Sequence, residues 1–204
     1  MTGNKLLTIG HSSHNFATFV GLLRGCEITA VADVRSVPFS RFTPQFNQRS
    51  VEHGLHKAGL EYVFLGKELG ARTDDMTCYV NGRVQYGRLA RTPGFIDGIE
   101  RLAKGAQSQR IAIMCTEGEP LDCHRTVLVA RVLTDHGLTI GHIHGNGLVE
   151  SHTSAMERLM VKFGLAEQEL FRTPAERLEE ALSRQEQRIA YVKDEFSADR
   201  AVGT

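Results

Sequence analysis

The sequence predicts an α/β fold. Its core is a mainly parallel central sheet of about five strands with flanking helices, Rossmann-like in its three layers, and a helical C-terminal extension follows. Three observations carry this expectation. Short apolar runs alternate with helix-length amphipathic stretches through residues 1–150, the order that yields parallel strands joined by right-handed crossovers. The run 28–34 is apolar almost throughout, as a strand covered on both faces must be. Beyond about Ser151 the strand-like runs give way to two helical segments. The chain therefore divides into an α/β domain, residues 1–150, that carries a polar cleft, and an extension, residues 151–204, packed on it or placed at an oligomer interface.

The elements follow in order. Residues 6–9 read as the first strand. Phe16, Phe19, Val20 and Leu23 at helical spacing give a helix ending near Gly25. Residues 28–34 are the second strand, 48–58 a helix closed by Gly59, and 62–65 the third strand. Residues 66–93 have no clear period and are expected to be irregular. A helix over 94–104, a strand over 110–114, a strong helix from 121 to 136 ending at Gly137, and a strand over 138–143 complete the domain. In the extension, 154–163 and 174–195 are helical, the second opening on Thr173-Pro174 as N-cap and first-turn proline. The last residues, 197–204, are expected to fray.

Composition narrows the class. Hydrophobic residues make up 41% and charged residues 24% of the 204, which excludes disordered, collagen-like and disulfide-stapled chains. Basic and acidic residues balance at 24 each, so a polyanion coat held by bulk charge is excluded. Only six of the basic residues are Lys, leaving 18 Arg, the side chain that grips carboxylates and phosphates bidentately. Apolar runs such as 111–114 fall far short of the ~20 residues of a membrane span, and no signal-peptide pattern opens the chain. Four cysteines in a core-rich chain point to a reduced, cytoplasmic protein with no membrane partner.

In an open parallel sheet the ligand crevice lies beyond the carboxyl ends of the strands. Polar or titratable groups follow every predicted strand: His11 and Ser12; Asp33, Arg35, Ser40 and Arg41; Lys67 and Glu68; Cys115, Glu117, Cys123, His124 and Arg125; His142 and His144. Each group has a plain alternative. His11 can be a turn residue, Asp33–Arg35 a structural ion pair, and Cys115 a small hydrophobe. The segment 115–125 says more. Asp122 fits an N-cap, the helix terminus would favour a Cys123 thiolate, Arg125 would clamp an anion, and Glu117 would serve as general acid or base. The alternative there is that Asp122 caps, Cys123 packs, and Arg125 pairs with Glu117 or Glu119. The phosphate-loop spacing, the dinucleotide-binding glycines and a Cys-x5-Arg phosphatase pattern are all missing, so no cofactor and no metal centre are expected.

Thr8-Ile9-Gly10-His11-Ser12, Asp33-Val34-Arg35 with Pro38, Ser40 and Arg41, the element from Tyr62 through Leu65-Gly66-Lys67-Glu68-Leu69-Gly70, and Met114-Cys115 with Glu117, Pro120 and Cys123-His124-Arg125 together resemble the domain-of-unknown-function 488 family. The resemblance spans roughly residues 6–143 and leaves out the C-terminal ~60. It implies an α/β fold whose polar cleft uses His11, Ser12, Asp33, Arg35, Ser40, Arg41, Lys67, Glu68, Cys115, Glu117, Cys123, His124, Arg125 and His142. Where the family commonly has a second glycine, this chain has Ala71 after Gly70, a departure confined to one turn.

Three functions are compatible with these residues. The first is an enzyme acting by hydrolysis or group transfer on a phosphate-bearing, nucleotide or nucleic-acid-like substrate. In it Glu117, Cys123, His11 and Asp33 are catalytic, and Ser12, Arg35, Ser40, Arg41, Lys67, Glu68, Cys115, His124, Arg125 and His142 bind the anion or substrate. The second is a non-catalytic DNA- or RNA-binding module built on residues 35–110, where 12 basic residues face seven acidic ones among interleaved aromatics. There, at least two of Phe39, Phe42 and Phe46 are expected to be core. The third is a metal-dependent hydrolase using His11, His142, His144 and a carboxylate. A homo-oligomer formed through the C-terminal helices is a further expectation.

Overall fold

The structure, a computed structural model, describes residues 6–168 and 170–193. The expectations for the first residues, for the end of the last helix at 194–195 and for fraying at 197–204 lie outside the described residues. The first strand, β1 (Leu6–Gly10), leads into helix α1 (Phe16–Gly25), whose first turn is capped by the Asn15 side chain accepting from the Thr18 N–H at 2.8 Å. Strand β2 (Ala30–Asp33), helix α2 (Gln48–Lys57) and strand β3 (Glu61–Phe64) follow.

The stretch after β3 corrects the expectation of an irregular excursion. It contains a short helix α3 (Gly66–Leu69), a two-stranded hairpin of β4 (Tyr79–Val80) and β5 (Arg83–Val84), and a short helix α4 (Tyr86–Leu89). Asn81 and Gly82 form the hairpin turn with φ of 48° and 72°, the left-handed pair that a tight hairpin requires and that Asn-Gly favours. The chain continues through α5 (Pro93–Gly105), capped by the Thr92 hydroxyl, and strand β6 (Ile111–Cys115). Beyond it a π-helical segment, Arg125–Ala130, runs on into α6 (Arg131–Asp135). Strands β7 (Ile140–Ile143) and β8 (Val149–Ser151) precede helices α7 (His152–Lys162) and α8 (Pro174–Ile189). Thr173 and Glu176 form a capping box at the start of α8.

The sheet order is β3-β2-β6-β1-β7-β8, with every pair parallel except β7–β8. The five expected strands are thus the parallel ones, and β8 adds an antiparallel edge. Strand alternation separates two layers. Leu7, Ile9, Val31, Ala112 and Met114 pack with Phe19, Leu23, Val51 and Leu55 of α1 and α2. Leu6, Ala32, Ile111 and Ile113 face Phe95, Leu102, Leu133, Leu159 and Leu182 of the other helices. This is the three-layer arrangement that a doubly covered parallel sheet demands. Among the described residues no helix is long and apolar enough to cross a membrane.

The C-terminal helices are bound to the domain by specific polar contacts as well as by packing. Buried Gln185 donates to the Leu121 carbonyl at 2.8 Å, and the Tyr86 N–H donates to Glu186 at 2.7 Å. On β7, His142 is fully buried: Thr8 Oγ1 meets its Nδ1 at 2.8 Å, and its Nε2 meets Nδ1 of His152, the first residue of α7, at 3.0 Å. Burial lowers His142 to about 3 and His152 to about 4, so both rings are neutral, and both nitrogens of His142 have a hydrogen-bond partner. The unfolded chain, with histidines near 6.5, takes up protons that the folded protein refuses as pH falls toward 4. The stability these rings contribute is complete above about pH 6.5 and is lost on acidification, on the order of 3 kcal/mol per ring. Urea unfolding between pH 7.5 and pH 4 should therefore show stability declining through that window, and His142→Gln should flatten the decline. An unchanged slope in the variant would rule out the buried pair as its source.

Candidate active site

The loops leaving β1, β2 and β6 meet at the carboxyl edge of the sheet because two glycines let backbone lie on backbone. A Cβ on Gly10 would stand 1.8 Å from the Glu117 carbonyl oxygen, and one on Gly66 would stand 2.0 Å from that of Arg35. Buried charges then fix the loops. Asp33, fully buried, accepts from Arg35 Nη2 at 2.7 Å, Arg35 Nε at 2.9 Å and the Tyr62 hydroxyl at 2.8 Å. Arg35 also donates to the Phe46 carbonyl at 2.8 Å and to His11 Nε2 at 3.2 Å. Burial opposes the Arg35 charge, but its bonds to Asp33 outweigh that and hold its pKa above the ordinary value. Arg35 can only donate, so His11 accepts at Nε2 and donates from Nδ1 to the Ser12 carbonyl at 2.9 Å. Burial lowers His11 to about 4, keeping it neutral, and its ring stacks on Phe46 with centroids 4.3 Å apart.

Arg125 is the second buried guanidinium. It is fully buried and donates to the carbonyls of Glu117 at 2.6 Å and Gly118 at 3.3 Å. It thus holds the loop after β6, through main-chain oxygens rather than the Glu117 or Glu119 carboxylates, and among the described residues its Nε has no hydrogen-bond partner. Asp122 does not cap the helix either. Its carboxylate accepts from Lys162 Nζ and Gln185 Nε2, both at 2.9 Å, in the C-terminal extension. The Cys123 carbonyl instead receives the first N–H groups of the helix, from Thr126 and Val127.

These loops enclose a cleft of 440 Å³ lined by Arg35, Ser36, Val37, Phe39, Ser40, Ala71, Arg72, Tyr86, Cys115, Thr116, Glu117, Asp122, His124, Ile189 and Tyr191. Two larger hollows, of 710 and 870 Å³, lie at the opposite end of the strands and beside the hairpin, and neither is lined by a cysteine or a histidine. The cleft floor carries the chemistry. The Cys115 thiol donates to Glu117 Oε2 at 3.2 Å, and His124 Nδ1 lies 3.7 Å from Cys115 Sγ and 3.8 Å from Cys123 Sγ. The other nitrogen, His124 Nε2, donates to the Val34 carbonyl at 3.2 Å and fixes the ring.

The electrostatics of this floor are unequal. Burial opposes a Cys123 thiolate, but the Cys115 thiol, the Arg125 guanidinium and His124 together hold its pKa well below the ordinary range. The bond to Cys123, and burial after it, push Cys115 well up. Burial, then the Cys123 charge, raises Glu117. His124 is raised because its bond to Cys123 and the charge there outweigh burial.

The rim is aromatic and basic. Arg72 lies over the Tyr191 ring at 4.5 Å and Phe39, 66% exposed, lines the same cleft, while Phe42, 92% exposed, stands outside its lining. Only Phe46 of the three phenylalanines is core, which overturns the expectation that at least two would be. Ser40 Oγ accepts from the Phe42 and Thr43 N–H groups and shapes the turn that presents them.

Of the residues singled out in sequence, the structure gathers Arg35, Ser40, Cys115, Glu117 and His124 on the cleft. It sets the others apart. Cys123 lies behind Cys115, 1% exposed and off the cleft wall, so direct attack on a substrate is closed to it. Asp33 and His11 are engaged beneath Arg35, and Ser12 backs the 116–118 loop, its N–H donating to the Thr116 carbonyl. Arg41 and Lys67 are exposed beyond the cleft wall, and Glu68 is paired with Arg101 of α5. His142 faces α7. The alternative metal set does not assemble: His11 stacks on Phe46, His142 binds His152, and His144 binds Glu150 at 2.9 Å. Sequence reasoning missed Arg72 and Tyr191, and it noted Tyr86 only among the interleaved aromatics of residues 35–110. Tyr191 comes from the C-terminal extension, and nothing local in the sequence marks it as a cleft residue.

A three-layer α/β domain with a titratable cleft at the carboxyl edge of its parallel strands is thus the class that fold and site define. The family described as Domain of unknown function DUF488 matches residues 15–132, more than half of the 204, and the chain belongs to that family. No curated protein and no solved structure matches the chain. Removing half of the buried ion pair tests the frame of the site. Asp33→Asn should cost about 3–5 kcal/mol in urea unfolding, because it leaves a buried guanidinium uncompensated, whereas Tyr62→Phe should cost only about 1 kcal/mol. Equal, small losses would show that the pair does not hold the loops.

Proposed function

We propose that the cleft is the active site of an enzyme that carries out hydrolysis or group transfer on a nucleotide or nucleic-acid-like substrate. The observation that carries this reading is the pairing of a thiol–carboxyl–imidazole floor (Cys115, Glu117, His124) with an Arg–aromatic mouth (Arg72 on Tyr191, Phe39). The mouth presents flat apolar faces and a cation, the combination that holds an unstacked base and its phosphate. Glu117 is the cleft-facing group placed to accept and return a proton. Arg35 and Ser40 position the substrate, and Arg35 is itself held rigid by Asp33. The four free thiols suit a reducing, cytoplasmic setting. The exposure of Phe42 also favours a second reading, a binding module for single-stranded nucleic acid that performs no reaction. A homo-oligomer through the C-terminal helices is compatible with either.

Fluorescence anisotropy with a labelled single strand of about 12 nucleotides, and competition by mononucleotides, tests the binding half. Phe39→Ala and Arg72→Ala should each weaken binding about tenfold, since base stacking is worth roughly 1–3 kcal/mol. Mass spectrometry of a nucleotide and oligonucleotide panel incubated with the protein tests the catalytic half, and Glu117→Gln should bind normally but yield no product. Binding without any product would favour the module. Absence of binding at about 50 mM salt would end both readings.

A further inference from the structure

We propose that Cys115, Cys123 and His124 form a mononuclear site for a zinc-class divalent ion at the cleft floor. Their donor atoms all lie within 4.8 Å of one another, and among the described residues they are the one group of His, Cys, Asp or Glu side chains so placed. The spacings are close to those a bound ion imposes. A tetrahedral zinc, with bonds of about 2.3 Å to sulfur and 2.0 Å to nitrogen, sets each sulfur about 3.5 Å from the nitrogen. Here the two separations are 3.7 and 3.8 Å. Hydrogen-bonded thiols alone would allow similar distances, but the imidazole is also oriented as a ligand would be. Its Nε2 is tied to the Val34 carbonyl, so Nδ1 points at both sulfurs, the second-shell device that fixes a metal-binding histidine.

The donors come from two elements that the fold locks together. Cys115 ends β6, and Cys123 and His124 open the helix that Arg125 fastens to the loop between them. Two sulfurs and one nitrogen select zinc or another borderline-soft ion over magnesium or calcium, which take oxygen ligands. Three protein donors leave a fourth position, as catalytic rather than structural zinc sites do. Cys115 and His124 line the cleft and Glu117 Oε2 lies 3.2 Å from Cys115 Sγ, so that position is open to water, to Glu117 or to a substrate atom. The inference deepens the reading of the cleft and rests on it only for the use of this open position. The ion can bind whether or not a nucleotide is the substrate.

The test uses the full chain, reduced and stripped with a chelator, then titrated with cobalt(II) as a spectroscopic probe and back-titrated with zinc(II). The expected result is one cobalt per chain, with a sulfur-to-cobalt charge-transfer band and the visible bands of a tetrahedral ion, all abolished by zinc. Cys115→Ser and Cys123→Ser should each remove roughly half of the charge-transfer intensity, one thiolate of two, while Cys26→Ser and Cys78→Ser leave it unchanged. Should the first two variants fail to fold, X-ray absorption of the zinc-loaded wild type decides. Two sulfurs near 2.3 Å with at least one nitrogen near 2.0 Å support the site, and an all-oxygen shell overturns it. Absence of the cobalt band in the reduced protein, or a band indifferent to both cysteines, also overturns the site. A Cys115–Cys123 disulfide recovered in place of metal binding does the same. None of these readouts depends on turnover, so failure of the substrate reading leaves the metal result standing, and the reverse.

Discussion

A single buried carboxylate organises the carboxyl edge of the sheet. Asp33 has no access to water and cannot be left as an isolated charge, so it must be surrounded by donors, and those donors come from different parts of the chain. Tyr62 belongs to β3, and Arg35 to the loop after β2. Through Arg35 the network reaches the Phe46 carbonyl and His11 at the end of β1. Two strand ends, a side chain within β3 and one loop therefore share one electrostatic account. A low-dielectric setting makes such a network strong when complete and costly when broken, which makes it a rigid base for a cleft.

The same logic is repeated once on the other layer, with the polarity of the partners reversed. Arg125 is fully buried and its two terminal nitrogens donate to carbonyl oxygens instead of a carboxylate, while its Nε has no partner among the described residues. The loop it grips is held from outside by the C-terminal extension. Arg158 bridges Glu119 and Glu150, Lys162 meets Asp122, and Gln185 reaches both Asp122 and the Leu121 carbonyl. Ile189 and Tyr191 then close one side of the cleft. The extension is consequently part of the site, even though the family match ends at residue 132.

The sheet was legible in the sequence because burial on both faces leaves an unmistakable mark: 28–34 and 111–114 are apolar regardless of alternation. Helix starts were legible where the cap is local, as at Thr173-Pro174. What could not be read is whatever depends on distant partners. Asp122 looks like a cap, and its true partners lie 40 and 63 residues further on. Arg125 looks like an anion clamp because main-chain carbonyls have no sequence signature. Phe39 and Phe42 look like core by type, and only the turn shaped by Ser40 reveals them as surface. Seven residues separate Cys115 from Cys123, outside any short Cys-x-x-Cys pattern, so their meeting with His124 had to come from the fold. The Asn81-Gly82 hairpin was the reverse case, a local signal present but hidden within a stretch lacking period.

The helix that begins beside His124 is wound as a π-helix over Arg125–Ala130 before it becomes α-helical. Such a segment holds an additional residue in a turn and is common beside functional sites. In an α-helix each residue advances by about 100° around the axis, so a one-residue deletion that relaxed this segment would rotate its start, with Cys123, His124 and Arg125, by about that angle relative to Leu133 in the core. The chain can exchange many side chains along this helix, but its length between Cys123 and the buried face of α6 is effectively quantised.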